Sequence, residues 1–437
     1  MTCIAQASQL EEVILRGCRP RHQWALGLEY EQFVTRPDGQ PVPYEGPGGL
    51  EEILGHLQTW TGWQPISENG RLLGLKGQDG RSITLEPGAQ IEFGGAPQKE
   101  IAGVQAEVQE YFQWLRRLRE MYDIRFVAIG AQPAVAPEQI QRLPKARYDI
   151  MEPYLQGVGG LGIWMMKATA GVQVNFDFES PEDGALKMRT AFALSPVLTA
   201  LFANSPIRAG EDSGFATWRG HVWSRTDPAR CGIPEACVRE DSQIADFVEW
   251  ALDVPMLFLQ RDGALVDMRG WSFRRYLDQG AQGLTATEAD WDLHLSTVFP
   301  EIRFRPQLEL RCLDTQCPDG ALALCALTKG LFYDPEALEQ AWQLTAGWSY
   351  QDRQRTWHAA HRLGLAAPAP GGGRLLDLAR ELLALVRLSD QEATYLRPLQ
   401  GLLNAGFSDG ELHSQRFQGE WQGSLEKLVE ATACLGS

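Results

Sequence analysis

An α+β fold built on an antiparallel sheet is the architecture this sequence predicts, and three observations predict it. Four stretches alternate apolar and polar residues with the two-residue period of a strand. Helical patterns run between them and through most of the chain beyond residue 320. No composition shift, repeat or low-complexity tract divides the chain, and 437 residues at 44% hydrophobic content can bury one large core. A single domain over 1–437 is therefore expected, strand-rich over about 20–320 and mainly helical over about 321–437.

The elements follow in order. In "WALGLEYEQF" (24–33), Trp24, Leu26, Leu28 and Tyr30 share one face, and Gly27, Glu29 and Glu31 share the other. "SITLEPGAQIEFGGAP" (82–97) sets Ile83, Leu85, Ile91 and Phe93 as a packed face and offers Glu86 and Glu92. Pro87 and Gly88 interrupt that strand with a turn or bulge. Residues 99–121 carry Ile101, Val104, Val108, Phe112 and Leu115 on a helical stripe. Strands are expected at 124–131 and 172–178, the second placing Gln173, Asn175 and Asp177 opposite Val172, Val174 and Phe176. A helix is expected over about 183–203. "IRFRPQLELRCL" (302–313) opposes Arg303, Arg305, Gln307, Glu309 and Arg311 to Ile302, Phe304, Leu308 and Leu310. "APAPGGGR" (367–374) is the clearest loop of the helical part.

Bulk properties exclude several classes. A formal charge of −16 argues against a nucleic acid or anionic membrane as partner. No apolar run approaches the roughly 18 residues of a membrane span. The acidic N-terminus does not read as a signal peptide, so a cytoplasmic protein is expected. The eight cysteines show neither a paired framework nor a zinc spacing, and free thiols, Cys231 and Cys237 among them, are the simplest expectation. Oligomeric state leaves no trace in the sequence.

The polar faces carry the chemistry. An exposed sheet face usually mixes Lys and Thr with acids, whereas these strands carry Glu, Gln, Asn and Arg with almost no Lys. Converging glutamates repel one another unless cations neutralise them. Oxygen ligands suit Mg²⁺ or Mn²⁺, and seven histidines without an HExxH spacing argue against zinc. No Walker loop and no credible dinucleotide fingerprint is present, so metal ions and arginines would have to hold the phosphates of a nucleoside triphosphate.

The stretches "GLEYEQF", "SITLEPGAQIEFGGAP", "PKARYDIM", "LFANSPIRAGEDSGFATWRGHVWSRTDPARCG" and "FPEIRFRPQLELRCLD", in this order over about 25–315, resemble the plant and proteobacterial type of glutamate–cysteine ligase. The resemblance implies a glutamine-synthetase-like or guanidino-kinase-like fold, an antiparallel sheet curved into a bowl and wrapped by helices. It implies ATP-dependent ligation of the γ-carboxylate of L-glutamate to the amine of L-cysteine through γ-glutamyl phosphate, the first step of glutathione synthesis. It places Mg²⁺ (or Mn²⁺) on Glu29, Glu31, Glu86, Glu92, Gln173 and Glu309; Glu92, on the regular side of the turn, is expected to be the surer ligand and Glu86 to lie behind it. It places Arg311 on the transferring phosphoryl group and Asn175 beside Gln173. Arg147, Arg219, His221 and Trp223 fall on the substrate side, with Arg219 on the α-carboxylate of glutamate. The family pattern carries Arg where this chain has Ala168, Thr at Gly171 and Ser at Gly94. A ligase of the same family with another amine acceptor is therefore the alternative. A glycoside hydrolase would also use paired carboxylates and many of the 14 tryptophans, and a guanidino kinase would share the fold type. Neither uses the Gln173, Asn175 and Arg311 pattern together with acidic pairs.

Overall fold

The computed structural model describes residues 2–434. Its centre is a nine-stranded sheet. The strands are β1 (Leu26–Thr35), β2 (Gln64–Glu68), β3 (Arg71–Lys76), β4 (Ser82–Leu85), β5 (Ile91–Gly94), β6 (Arg125–Val127), β7 (Gly171–Phe176), β8 (Ile302–Phe304) and β9 (Leu308–Asp314). Their order is β8-β9-β7-β1-β5-β4-β3-β2, every pair antiparallel, with β6 added beside β1.

Alternation does what the sequence promises. On β1, Leu26, Leu28 and Tyr30 are buried while Gly27, Glu29 and Glu31 keep partial exposure on the other face. The apolar face of β4, β5, β7 and β9 is buried in the same way. Around Tyr30 and Phe93 the apolar face packs on α1 (Ile101–Tyr122), which presents Ile101, Val104, Val108, Phe112 and Leu115, as the stripe predicts. Phe93 stacks on Tyr111 with ring centroids 4.7 Å apart. The helices α2 (Arg147–Gln156), α3 (Gly162–Ala168), α4 (Pro181–Leu201), α5 (Trp218–Ser224) and α6 (Pro318–Phe332) follow, then α7 (Tyr350–Leu363), α8 (Asp409–Gln418) and α9 (Leu425–Thr432). Nearly every residue of α4 from Gly184 onward is buried, so it has no polar face to offer solvent and lies among other helices beneath β8 and β9.

Three local expectations change. The Pro87–Gly88 break is a full hairpin, in which the Ala89 N–H donates to the Glu86 carbonyl at 2.7 Å and Ala89 takes φ 64°. Residues 302–313 form a second hairpin rather than one strand, turning where the Arg305 N–H donates to the Gln307 carbonyl at 2.9 Å. That turn preserves parity, so Arg303 and Glu309 stand opposite each other on one face. The strand expected over 124–131 stops at Val127, because the Ala128 and Gly130 N–H groups donate to Thr432 and Asn204 instead of to the sheet.

One cysteine expectation is corrected. Cys317 and Cys434 form a disulfide with their Cα atoms 5.5 Å apart, although 117 residues separate them. The end of α9 is carried back to the start of α6, a proximity no spacing rule can read. Cys231 and Cys237 are free. Closing so long a loop restricts the unfolded chain. Replacing Cys434 by Ser should lower unfolding stability by about 2–4 kcal/mol in oxidising buffer and by nothing in strong reductant. Identical denaturation midpoints for the two proteins under oxidising conditions would contradict this.

Candidate active site

The polar face of the sheet floors a cavity of about 490 Å³. Strand register arranges that floor in three ranks. Arg303, Glu309, Asn175 and Gly27 stand abreast. Next come Gln173, Glu29, Gly94 and Ser82. The third rank is Glu31, Glu92 and Thr84, with Glu86 just beyond at the hairpin. Glu29, Glu31, Glu86, Glu92, Gln173 and Asn175 all reach the cavity wall, as do Arg147, Arg219, Trp223 and Arg311.

The acids are held with some oxygens occupied and others free. Glu31 accepts from the Gly171 N–H at 2.5 Å and from Gln173 Nε2 at 3.0 Å. Glu29 Oε1 accepts from Asn175 Nδ2 at 2.8 Å, and Glu92 Oε2 from the Thr84 hydroxyl at 2.6 Å. Burial, then the charge of Glu86, pushes the Glu31 carboxyl up to about 7. Glu92 is pushed well above the usual range by burial and by Glu86, Glu29 and Glu31. Burial and Glu309 raise Glu29. Four carboxylates thus face one another with too little positive charge among them, which a cation would relieve. Among the described residues no three acids, histidines or cysteines stand close enough to form a finished metal cage. Their donor set suits a hard cation all the same, since it offers carboxylate oxygens only.

Two of the expected ligands are hydrogen-bonded to arginines. Glu309 receives Arg303 through both Nε at 2.8 Å and Nη2 at 3.0 Å, and Arg311 Nη1 as well. Burial raises its carboxyl, but the two guanidinium groups more than offset that and bring it below the usual range. Its oxygens are thereby committed to arginines. Gln173 Oε1 accepts from Arg311 Nη1 at 2.8 Å, so its oxygen too is spent. Both residues thus hold the Arg311 guanidinium, and Gln173 also lines the cavity. Trp223 lies between the arginines, its ring 5.9 Å from the Arg311 guanidinium and 5.5 Å from that of Arg219.

His221 does not reach the cavity wall. Its ring stacks on Phe215 at 4.3 Å and leans on Trp218 at 5.0 Å, on the far side of α5. Sequence reasoning missed Lys145, which lines the cavity beside Glu86 and donates to the Leu85 carbonyl at 2.7 Å. It stands two residues before Arg147 in a stretch that the resemblance had already singled out. Arg303 was read only as part of a polar face.

A second network holds α5 in place. Asp314 Oδ2 accepts from the Asn204 N–H and the Ser205 hydroxyl, both at 2.7 Å, and Oδ1 from the Thr217 hydroxyl at 2.9 Å. Thr217 in turn caps α5 by accepting from the Gly220 N–H, and Ser205 accepts from the Arg219 N–H at 3.0 Å. The Arg219 guanidinium donates to the Arg311 carbonyl at 3.0 Å and leaves its buried Nε without a partner, as Arg147 does. Unpartnered guanidinium nitrogens at a cavity wall are what an anionic ligand would satisfy.

Known proteins resemble this chain along most of its length. The sequence pattern described as glutamate–cysteine ligase family 2 (GCS2) matches residues 25–431. The chloroplastic glutamate–cysteine ligase B of Oryza sativa subsp. japonica is 35% identical over 426 residues, 95% of this chain and 85% of that protein. The chain belongs to glutamate–cysteine ligase family 2. The chloroplastic glutamate–cysteine ligase of Arabidopsis thaliana is 34% identical over 423 residues, 95% of this chain and 80% of that one. In fold, the chain is similar to a glutamate–cysteine ligase from Francisella tularensis solved with AMP, at a TM-score of 0.59 and 12% identity, covering 94% of this chain and 88% of the other. No described helix is long and apolar enough to cross a membrane.

Two departures from the expected family pattern have physical explanations. A side chain at Gly94 would begin 2.6 Å from the Ser82 hydroxyl, so Ser82, its cross-strand partner, already fills that space with an oxygen. Ala168 is buried against Val135 and Ile140 and does not reach the cavity.

The network behind α5 also carries a pH signature. Asn204 Nδ2 donates to the Ala128 and Thr315 carbonyls, so its Oδ1 must accept from His413 Nδ1 at 2.9 Å, which puts a proton on Nδ1. Burial pushes the His413 imidazole down to about 4. The unfolded chain then binds the extra proton first as pH falls below about 6.5, and stability falls from there down to about 4. His413→Gln, which keeps a donor and does not titrate, should flatten the pH dependence of stability in that window relative to the parent protein. An equally steep loss in both, read by thermal unfolding, would contradict the assignment.

Proposed function

We propose that this cavity joins the γ-carboxylate of L-glutamate to the amine of L-cysteine at the expense of ATP, the first step of glutathione synthesis. The observation that carries the residue assignments is the rank order of the floor, with acids in the middle, free guanidinium groups at one end and a smooth wall at the other. The third rank is flanked by Arg219, Lys145 and Arg147, whose positive charges suit amino-acid carboxylates. The first rank opens past Gly27, Gly80 and Gly95, which have no side chains to obstruct a base and ribose. The nucleotide therefore lies toward the first rank and the two amino acids toward the third.

Glu29, Glu31, Glu86 and Glu92 would hold Mg²⁺, with Mn²⁺ as a substitute. The bound ion supplies charge neutralisation on the triphosphate. Glu309 and Gln173 keep Arg311 aimed at the middle rank, where its guanidinium stabilises charge on the transferring phosphoryl group. Asn175 fixes Glu29. Arg219 pairs with the α-carboxylate of glutamate in a bidentate contact, and Arg147 offers a second anchor. Transfer of the γ-phosphoryl group to the side-chain carboxylate gives an acyl phosphate and ADP. The cysteine amine then attacks the acyl carbon, the C–O bond to phosphate breaks, and phosphate leaves as the amide loses its extra proton. Residues 1–437 form one catalytic unit in this reading, supported by a single large apolar cluster running from Ile4 to Leu403. Six of the eight cysteines are free, which suits a reducing cytoplasm, where the Cys317–Cys434 pair would stand reduced.

Phosphate release from ATP that requires both L-glutamate and an amine tests the reaction, and a panel of amines tests the acceptor. Cysteine should give the highest kcat/KM, and a different amine ahead of it would move the assignment to another acceptor. Glu92→Gln should raise the melting temperature of the metal-free protein at alkaline pH, where the raised carboxyls ionise and repel, while Mg²⁺ affinity and turnover fall by about two orders of magnitude or more. A variant with unchanged Mg²⁺ binding by calorimetry would remove Glu92 from the metal site. Arg219→Lys keeps the charge and loses the fork. It should raise KM for glutamate at least about tenfold with KM for ATP little changed. A rise in the ATP constant instead would put the residue on the phosphates.

A further inference from the structure

Gly171 opens β7 at the edge of the third rank, and its strand backbone is one that any residue adopts. Its N–H donates to Glu31. A Cβ built there would lie 2.5 Å from Nη2 of Arg219 and 3.0 Å from its Cζ. The guanidinium thus lies in the volume that a side chain at 171 would occupy. It is held back there by its bond to the Arg311 carbonyl at 3.0 Å.

We propose that Gly171 sets the length of the amino acid the site accepts, by letting Arg219 lie back against the sheet. The inference rests on the proposed role of Arg219 as the seat of the donor's α-carboxylate. The two carboxylates of the donor must reach Arg219 and the acid ranks at the same time, so the depth of Arg219 fixes the span between them. With a methyl group at 171, Nη2 must withdraw from 2.5 Å to the 3.4 Å at which ordinary contact begins, a forward shift of 0.9 Å. Removing one methylene from the donor shortens it by about 1.3 Å along the chain. The shift is therefore of the size that separates a five-carbon from a four-carbon dicarboxylic amino acid. The nearest obstruction is the far end of a flexible side chain, so the substitution displaces Arg219 before it disturbs the strand. The Leu313 carbonyl at 3.1 Å is the only backbone atom among the nearest three.

Gly171→Ala tests this with glutamate and aspartate as competing donors. The ratio of kcat/KM for glutamate over aspartate should fall at least about tenfold, because a misplacement of about 1 Å can cost up to about a hundredfold in rate. KM for ATP should stay within about twofold of the parent. Arg219→Lys removes the two guanidinium atoms that the methyl group meets first, so adding Gly171→Ala to that variant should change the ratio by less than about twofold, a strongly non-additive cycle. Additive effects, or an unchanged ratio in the single variant while Arg219→Lys still raises the glutamate KM, would overturn the role of Gly171 and leave that of Arg219 standing. A glutamate KM unaffected by Arg219→Lys would overturn both. If Gly171→Ala does not fold, rescue of folding by Arg219→Lys supports the shared volume. Failure in both backgrounds overturns it and makes the Leu313 carbonyl the obstruction.

Discussion

Crowding of like charge on one face of a sheet is the constraint around which the rest of this molecule is arranged. Antiparallel pairing of β1 with β5 sets Glu31 directly opposite Glu92, and Glu29 one rank away. Pairs of acids directly opposite each other destabilise a sheet. Here burial worsens the repulsion, as the upward shifts of Glu29, Glu31 and Glu92 show. The apolar reverse face offsets that cost, with Leu28, Tyr30, Ile91 and Phe93 all buried against α1 and its neighbours. A fold that tolerates such a face without function would gain stability from almost any neutral substitution. A shared cation, as proposed above, would relieve the repulsion among these acids.

Positive charge in the site is divided by purpose. Arg303 and Arg311 share Glu309, which keeps two guanidinium groups side by side without leaving either buried charge uncompensated. Arg219 and Arg147 have no such carboxylate partner and keep buried nitrogens free. The first pair is pre-organised, and the second pair, in the proposed reading, is left for the carboxylate of a substrate. Asp314 extends the logic outward, because it anchors the helix that carries Arg219 by accepting from two hydroxyls and a backbone N–H. Position in the site thus depends on residues far from it in sequence, down to His413 on α8.

Much of this was legible in the chain itself. Two-residue alternation placed Glu29, Glu31, Gln173, Asn175 and Arg311 on one face because strand geometry leaves no other choice once the apolar residues are buried. The reading of 302–313 survived its own error, since the hairpin turn keeps odd residues on the cavity side. What the sequence left hidden depends on where distant segments meet. Glu309 and Gln173 could be placed on the right face, yet nothing local reveals that arginines claim their oxygens. His221 lies two residues from Arg219 on a helix, so the two point to different sides of it. The Cys317–Cys434 pair and the contribution of Lys145 come from packing between elements that the sequence lists far apart.

Locating manganese in crystals grown with a non-hydrolysable ATP analogue bears most directly on the shared-cation claim, because anomalous scattering identifies the ion independently of any assay. Manganese should lie over the second and third ranks, with oxygens of Glu29, Glu31 and Glu92 within about 2.0–2.6 Å and Glu309 still held by Arg303 and Arg311. Manganese bound away from all four cavity glutamates, Glu86 included, would contradict the claim that their crowding exists to hold a cation.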